Sequence, residues 1–125
     1  MMTYVSAWRS PIDTQANVYF ELSAVSPYTD PGCLEISIES SVFGRSTVNL
    51  TMEYWDYEAE AWLEIGTGQT SRFVDSTLRF SSLDNCQRFV HPETGAIRAR
   101  CRYQGVNTRQ KFATHIDAVS WTVTD

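Results

Sequence analysis

A length of 125 residues, 42% of them hydrophobic, is enough for one domain with a single core. The formal net charge of −5 argues against nucleic acid or an anionic membrane surface as the main partner. No apolar run approaches the roughly 20 residues of a membrane-spanning helix, so no membrane span is expected. The opening letters, MMTYVSAWR, lack the basic and apolar segments of a secretion signal. We therefore expect synthesis inside a cell, followed by assembly into a particle or surface structure.

Short strands follow one another after an apolar, less regular N-terminal arm at residues 1–15. Residues 16–22 alternate between apolar and polar side chains, with Tyr19 and Glu21 on the polar side. Residues 34–39 alternate in the same way. Because successive side chains of a strand point to opposite faces, both segments are predicted as half-buried strands. A loop rich in proline and glycine separates them.

The middle of the chain predicts a hairpin. Residues 48–54 form an inward-facing row, residues 56–61 a polar connection, and residues 62–65 the partner strand. Residues 66–71 contain two glycines among hydroxyls and are predicted as a loop. That loop lacks the lysine and the following helix of a phosphate-binding loop. Residues 73–80 supply another strand or two.

The last third of the chain has the clearest pattern. Residues 82–89 predict one helical turn with Ser82 as N-cap, and residues 91–95 predict a tight turn. Residues 96–103 alternate between small or apolar side chains and a charged row, and residues 115–124 form a closing strand. The charged row consists of Arg98, Arg100 and Arg102.

About eight short strands, separated by regular turn signals and without a long helix, predict an all-β protein. We expect a single antiparallel β-sandwich of jelly-roll type. The expected division is an N-terminal arm at residues 1–15 and a β-sandwich domain at residues 16–125.

Three segments carry a resemblance to known modules: residues 54–62 (YWDYEAEAW), 88–100 (RFVHPETGAIRAR) and 116–123 (IDAVSWTV). Together they lie within residues 50–123, which resemble galactose-binding-like jelly-roll modules found at the ends of secreted and surface proteins of bacteria. The resemblance implies the same sandwich, with a Thr-Gly corner leading into an arginine-bearing strand. These motifs are structural rather than catalytic, and many such modules have no assigned function. The resemblance therefore concerns the fold more than the ligand.

The sequence does not point to an enzyme. A nucleophile and its base must meet within about 2.6–3.2 Å, and no motif ensures this for either histidine. His115, shortly before Asp117, is the better-placed base, but we expect it to be only a polar residue at a strand end. His91 lies in the predicted tight turn. We expect no catalytic residue and no cofactor.

Acidic side chains cluster in and beside the predicted hairpin turn: Asp56, Glu58, Glu60 and Glu64. Glycoside hydrolysis needs two carboxylates held about 5–9.5 Å apart across a cleft, whereas a short exposed turn favours a solvated surface. Asp84, Asn85 and Asp117 offer oxygen atoms for calcium, but no ligand spacing supports such a site. No metal is therefore expected.

The three cysteines are too few for a disulfide scaffold, and their spacing does not resemble a zinc site. Cys101 lies on the apolar side of its strand and is predicted as a core residue. Cys86 could reach Cys101 in a folded sandwich, so a disulfide between them stays an alternative. The redox state of Cys33, Cys86 and Cys101 is left open by the sequence.

Outward aromatic and arginine side chains are the candidate ligand or interface residues: Trp55, Tyr57, Trp62, Arg98, Arg100 and Arg102. Flat amphipathic rings suit both sugar stacking and subunit interfaces. Three arginines in a row repel one another, so we expect either cross-strand pairing with acidic residues or an anionic partner.

Two functions from different classes remain. The first is a non-catalytic structural or attachment subunit of a larger assembly, such as a virion or surface filament. Its partners would be other copies of itself or other assembly proteins, and the N-terminal arm, through Tyr4, Val5 and Trp8, would dock on an adjacent copy. The alternative is a carbohydrate-binding module that holds a glycan on exposed aromatic side chains. Since sandwiches host many functions, the fold alone does not decide between them.

Overall fold

The computed structural model describes residues 2–7, 17–28, 30–44, 47–70, 74, 76–82, 84–105 and 112–124. These contain eight β-strands and a short 3-10 helix at Cys86–Phe89. The strands are β1 (Met2–Ala7), β2 (Asn17–Val25), β3 (Cys33–Gly44), β4 (Val48–Asp56), β5 (Ala61–Gln69), β6 (Ser76–Ser82), β7 (Ala96–Gly105) and β8 (Phe112–Thr124). The described part of the chain has no helix long and apolar enough to span a membrane.

The strands form two four-stranded sheets, ordered β1-β8-β3-β6 and β2-β7-β4-β5. Every pairing is antiparallel. The pairs β1·β8, β2·β7, β3·β6 and β4·β5 are nested about the turn between β4 and β5 and alternate between the sheets. This is one long hairpin rolled into a sandwich, and it confirms the predicted jelly-roll fold.

The core lies between the sheets, where the inward rows of both meet. Ile36, Ile38 and Trp121 come from the first sheet, and Tyr54 and Tyr103 come from the second; all five are at most 1% exposed. Burying side chains of this size stabilises the fold by roughly 1.5–3 kcal/mol each. The core therefore joins the two sheets and leaves the outer face of each available for polar and half-buried side chains.

Part of the predicted N-terminal arm is a strand of the sandwich. β1 pairs with β8 of the same chain, from Met2 opposite Val123 to Ala7 opposite Ala118. Tyr4 and Val5 lie within this strand, whereas Trp8 lies outside the described residues. The docking of the arm on a neighbouring copy stays a prediction, as does the division at residue 15.

β5 is longer than predicted, since Gly66–Gln69 continues the strand and is not a loop. A Cβ atom at Gly66 would lie 3.0 Å from Phe80, and one at Gly68 would lie 3.1 Å from Leu78. The two glycines therefore leave room for side chains of β6 at the rim of the sandwich. Prediction of a loop from glycine was wrong here because glycine also serves close approach within a strand.

Two other boundaries differ from the prediction. Ser82 is the last residue of β6 and not a helix cap, because the 3-10 helix begins at Cys86, after Asn85 in the left-handed region (φ 50°). β8 begins at Phe112, three residues before the predicted start at His115. The ends of strands and helices depend on pairing with distant segments, so element boundaries are the least predictable part.

Candidate functional site

The candidate site occupies the outer face of the β2-β7-β4-β5 sheet. Along β7, Ile97, Ala99, Cys101 and Tyr103 are fully buried, so the alternating pattern turns the intervening arginines outward. We call this surface the arginine–aromatic face. Its members are Tyr19, Glu21, Glu53, Trp55, Trp62, Arg98, Arg100 and Arg102.

Arg98 pairs with an acid on the neighbouring strand β2. Its Nε lies 2.8 Å from Oε1 of Glu21, and Nη2 contacts the same oxygen. The guanidinium carbon also lies 5.2 Å from the ring centroids of both Trp55 and Trp62. The arginine is therefore held by a carboxylate and by two aromatic faces, which favour a cation within about 6 Å.

Arg100 makes the second cross-strand pair, with Glu53 on β4. Nε and Nη2 donate to the two carboxylate oxygens at 3.1 and 3.2 Å, a two-point contact. Its guanidinium carbon lies 4.6 Å from the ring centroid of Trp62 and 5.4 Å from that of Tyr19. The expected compensation of the arginine row by acidic neighbours is thus present at Arg98 and Arg100.

Arg102 has a different environment. Its pKa is raised chiefly by a hydrogen bond with the side chain of Tyr19, and also by the nearby charges of Glu53 and Glu64. Its Nε is buried and has no hydrogen-bond partner among the described residues. Thr51 is the residue opposite Arg102 on β4. The position opposite Arg102 therefore has a hydroxyl side chain, whereas the position opposite Arg100 has the carboxylate of Glu53.

Trp62 is the side chain that joins the face together. It stands on the edge strand β5, while the two arginines that it contacts stand on β7, two strand spacings away. That separation is about 9.5 Å, so the indole and the guanidinium groups must meet above β4. Trp62 also packs edge-to-face on Trp55, with centroids 5.3 Å apart and planes at 72°. Both tryptophans remain half-buried.

Tyr57 lies at one end of the face, in the turn that follows β4. Its ring packs edge-to-face on His91 at 5.2 Å, and its backbone N–H donates to the carbonyl of Arg88 at 2.7 Å. Burial raises the pKa of Tyr57 and the charge of Arg98 opposes that rise. Tyr57 is therefore close enough to Arg98 to extend the aromatic surface beyond the strand.

Both histidines and Asp56, the first residue of the acidic cluster, make contacts within the chain. Nδ1 of His91 accepts hydrogen bonds from the backbone N–H groups of Glu93 and Thr94, at 3.1 and 3.2 Å. His115 packs against Phe43, with centroids 5.0 Å apart. Oδ1 of Asp56 accepts from two backbone N–H groups of the β4–β5 turn, at 2.9 and 3.0 Å. These two hydrogen bonds explain why the turn begins with an acidic residue, and the explanation requires no bound ligand.

No group of three histidine, cysteine or acidic side chains suited to a metal occurs among the described residues. Asp84 and Asn85 precede the 3-10 helix, whereas Asp117 belongs to β8. The residues considered for calcium thus come from two separate segments of the chain.

The structure brings the predicted residues Trp55, Trp62, Arg98 and Arg100 together and adds three that the prediction omitted. The added residues are Tyr19, Glu21 and Glu53, which contact the arginines directly. The alternation of residues 16–22 already placed Tyr19 and Glu21 on the outward side of their strand. Which strand would lie beside them depends on sheet order, and local alternation contains no information on that order.

No protein-family model and no curated protein sequence matches the chain. Solved structures do match it in fold. TmCBM61, solved with beta-1,4-galactotriose, is 12% identical with a TM-score of 0.55, and the match covers 97% of this chain and 81% of that one. The xylan-binding module CBM15 is 15% identical with a TM-score of 0.56, over 97% and 90% of the two chains.

A chain from the structure of infectious bursal disease virus, Gx strain, is also similar. It is 12% identical with a TM-score of 0.62, and the match covers 98% of this chain. This chain spans only 33% of the viral one, so the likeness is to one part of a longer protein. Identities this low show a shared fold and nothing finer: the chain has the jelly-roll β-sandwich fold that the carbohydrate-binding modules and this part of the viral chain also have.

Proposed function

We propose that this domain is a non-catalytic binding module that holds a glycan on the arginine–aromatic face. The single observation that supports this most is the position of Trp62. Its half-buried indole lies over the sheet among two guanidinium groups and a second indole. A sugar ring presents apolar C–H groups to such a surface, and aromatic rings bury them at low entropic cost.

The charged groups of the arginine–aromatic face are suited to hydrogen-bond the hydroxyl groups at the edge of the same sugar. Arg98 and Glu21 have side chains 37% and 51% exposed, so their unused hydrogen-bonding capacity faces solvent. Sugar hydroxyls both donate and accept, and a fixed arginine–carboxylate pair offers one partner of each kind. Because the pairs exist before any ligand arrives, little ordering is needed on binding.

The two carbohydrate-binding modules of similar fold guide the choice of ligands. TmCBM61 was solved with a galactotriose, and CBM15 is described as xylan-binding. We therefore take β-1,4-linked galactose and xylose oligosaccharides as the first probes, and add an acidic series because Arg102 has no carboxylate bonded to it among the described residues.

The test is titration of the protein with each oligosaccharide, followed by calorimetry and by tryptophan fluorescence. We expect saturable binding to at least one series, with a fluorescence change from Trp55 and Trp62. Trp62→Ala should weaken binding at least tenfold, about 1.4 kcal/mol. Circular dichroism shows whether that variant keeps the fold.

Phe43→Ala is the matched control. Phe43 is 39% exposed but lies on β3, in the other sheet, so its removal should leave glycan affinity unchanged. The proposal fails if no neutral or acidic oligosaccharide binds, or if the two variants lose affinity equally.

A second candidate is a structural subunit of a larger assembly, which the likeness to the infectious bursal disease virus chain favours. The N-terminal arm would supply the contact: β1 would pair with β8 of a neighbouring copy in the register that it now adopts within its own chain. We rank this second because, among the residues whose exposure the structure describes, the exposed large hydrophobic side chains are dispersed. They are Tyr19, Val25, Phe43, Leu63 and Val74, on both sheets and on a loop. A stable interface needs about 800 Å² from each partner with an apolar centre.

Light scattering over a concentration series separates the two candidates. A mass of 14.2 kDa at all concentrations is the expected result for the glycan module. A defined oligomer or a growing polymer, abolished by removal of residues 1–15, would favour assembly through the arm.

A further inference from the structure

Two of the three cysteines lie together at the end of the β1-β8-β3-β6 sheet. Cys33 begins β3 and is half-buried, while Cys86 begins the 3-10 helix and is buried; all three thiols are free. Cys101, which the sequence suggested as a partner of Cys86, is fully buried in β7 with its Sγ 3.6 Å from the carbonyl oxygen of Phe20. Cys101 thus stands in the β2-β7-β4-β5 sheet, whereas Cys33 stands in the other sheet.

The backbone places Cys86 beside Cys33. Sγ of Cys86 lies 3.8 Å from the carbonyl oxygen of Gly32, the residue immediately before Cys33. A carbonyl oxygen lies about 2.8 Å from the next Cα, so this sulfur is within roughly 6.6 Å of the Cα of Cys33. Sγ of Cys86 also contacts the carbonyl oxygen of Ser82 at 2.8 Å, and Ser82 is the register partner of Leu34. A Cys86 sulfur this close to the Cα of Cys33 lies within the range that rotation of the Cys33 side chain, together with backbone adjustment, can bridge.

The electrostatics of the site agree with this geometry. Burial raises the pKa of Cys33, and the second cause of the rise is the neighbouring Cys86 thiol. The pKa of Tyr54 is likewise raised by burial and then by both thiols. Both effects agree with the placement of Cys33 and Cys86 at the same end of the sheet, which the Cys86–Gly32 contact shows.

We propose that Cys33 and Cys86 form an intramolecular disulfide when the protein meets a disulfide oxidant such as oxidised glutathione. The Cys33 thiolate, from the more exposed residue, attacks one sulfur of the oxidant and releases one glutathione thiolate. The Cys86 thiolate then attacks the Cys33 sulfur of the mixed disulfide, and the second glutathione leaves. Two protein thiols become one disulfide, and one oxidised glutathione becomes two reduced molecules.

The bond would fasten the 3-10 helix to the start of β3. That helix accepts the backbone hydrogen bond of Tyr57 at Arg88, so it supports the turn at the end of the arginine–aromatic face. A cross-link between residues so far apart in sequence removes much of the freedom of the unfolded chain. The oxidised protein should therefore unfold at a temperature higher by roughly 5–15 °C.

The test uses the full chain in buffers of graded glutathione potential. After each incubation the protein is denatured, remaining thiols are alkylated, and peptides are mapped by mass spectrometry. We expect a mass loss of about 2 Da, one linked peptide pair containing Cys33 and Cys86, and an alkylated Cys101. Cys33→Ser should abolish the linked pair and the rise in Tm, and its own Tm should not depend on the oxidant.

Several results would overturn the proposal: three alkylated cysteines under oxidising conditions, a link that includes Cys101, or a disulfide-bonded dimer. The peptide map of the unaltered chain decides between these outcomes without any substitution. Since glycan binding plays no part in this measurement, its result is independent of the proposed function.

Discussion

Glu53 and Arg100 stand directly opposite each other on β4 and β7 and are joined by two hydrogen bonds of 3.1 and 3.2 Å. Their side chains are only 14% and 31% exposed. The Trp62 ring packs on the guanidinium of Arg100, and water is therefore partly excluded from the pair. An ion pair in such a position behaves differently from one on an open surface, because each charge depends on the other for its solvation.

Glu53→Gln should therefore destabilise the protein by about 1–2 kcal/mol, more than an exposed pair would. The matched comparison is Glu21→Gln, which removes the acid of the more exposed pair with Arg98 and should cost about 0–0.5 kcal/mol. Urea unfolding of both variants measures the difference. Equal losses would show that shielding by Trp62 has no energetic effect.

Gly95 is the position where a side chain fits worst. Its φ is +75°, and an added Cβ would lie 2.7 Å from the backbone carbonyl oxygen of Ser26, which cannot move like a side chain. Gly95→Ala should cost about 2–4 kcal/mol, from left-handed strain and from this clash. Thermal and urea unfolding measure the loss.

Glu60 also has a positive φ, and replacing it tests the reverse change, from a residue with a side chain to glycine. It is exposed, has φ 54° and lies in the β4–β5 turn. Glu60→Gly removes the strain but adds freedom to the unfolded chain, so stability should change by less than about 1 kcal/mol. A large loss in Glu60→Gly, or none in Gly95→Ala, would contradict the role assigned to positive φ.

Alternation along single strands was enough to predict which residues face outward on β7. It was also enough to place Trp55 on the face opposite to Tyr54. These are local properties, because each follows from the period of two within one strand. The half-buried state of Trp55 and the full burial of Tyr54 agree with them.

The contacts of the face were less predictable because they depend on register between distant segments. Glu53 meets Arg100 only because β4 pairs with β7 rather than with β3, its neighbour in sequence. An irregularity after Met52 also shifts the register between β4 and β5 and thereby brings Trp62 opposite Trp55. Neither effect leaves a mark on local composition, since both result from packing of the whole sandwich.

His91 stabilises the turn that leads into β7. Its Nδ1 accepts two backbone hydrogen bonds, and its ring packs on Tyr57. His91→Ala should cost about 1–2 kcal/mol because both N–H groups lose their protein partner. Asparagine also accepts such bonds in turns, so His91→Asn should recover part of the loss. If the two variants unfold at the same urea concentration, the hydrogen bonds contribute nothing and only the ring contact matters.

Two buried phenols should make the fold sensitive to alkali. Burial raises the pKa of Tyr54 and of Tyr103 far above the ordinary value of about 10. Tyr54 donates to the carbonyl oxygen of Phe80 at 3.0 Å, and Tyr103 donates to the hydroxyl of Ser40 at 2.9 Å. Both phenols are therefore held neutral in the folded chain.

Because the folded state keeps both phenols neutral, the fold becomes less stable as the pH rises above about 10. Below about pH 10 the phenols are protonated in both states, and the stability is fully present. Above it the unfolded chain loses their protons and the folded chain keeps them, so stability falls by up to about 1.4 kcal/mol per pH unit for each phenol. Urea unfolding from pH 8 to 12, with tyrosinate absorbance recorded in parallel, should show these two phenols ionising only as the fold is lost. Tyr54→Phe should reduce the slope of stability against pH by the contribution of one phenol. Ionisation of every tyrosine in a fully folded protein would contradict the assignment.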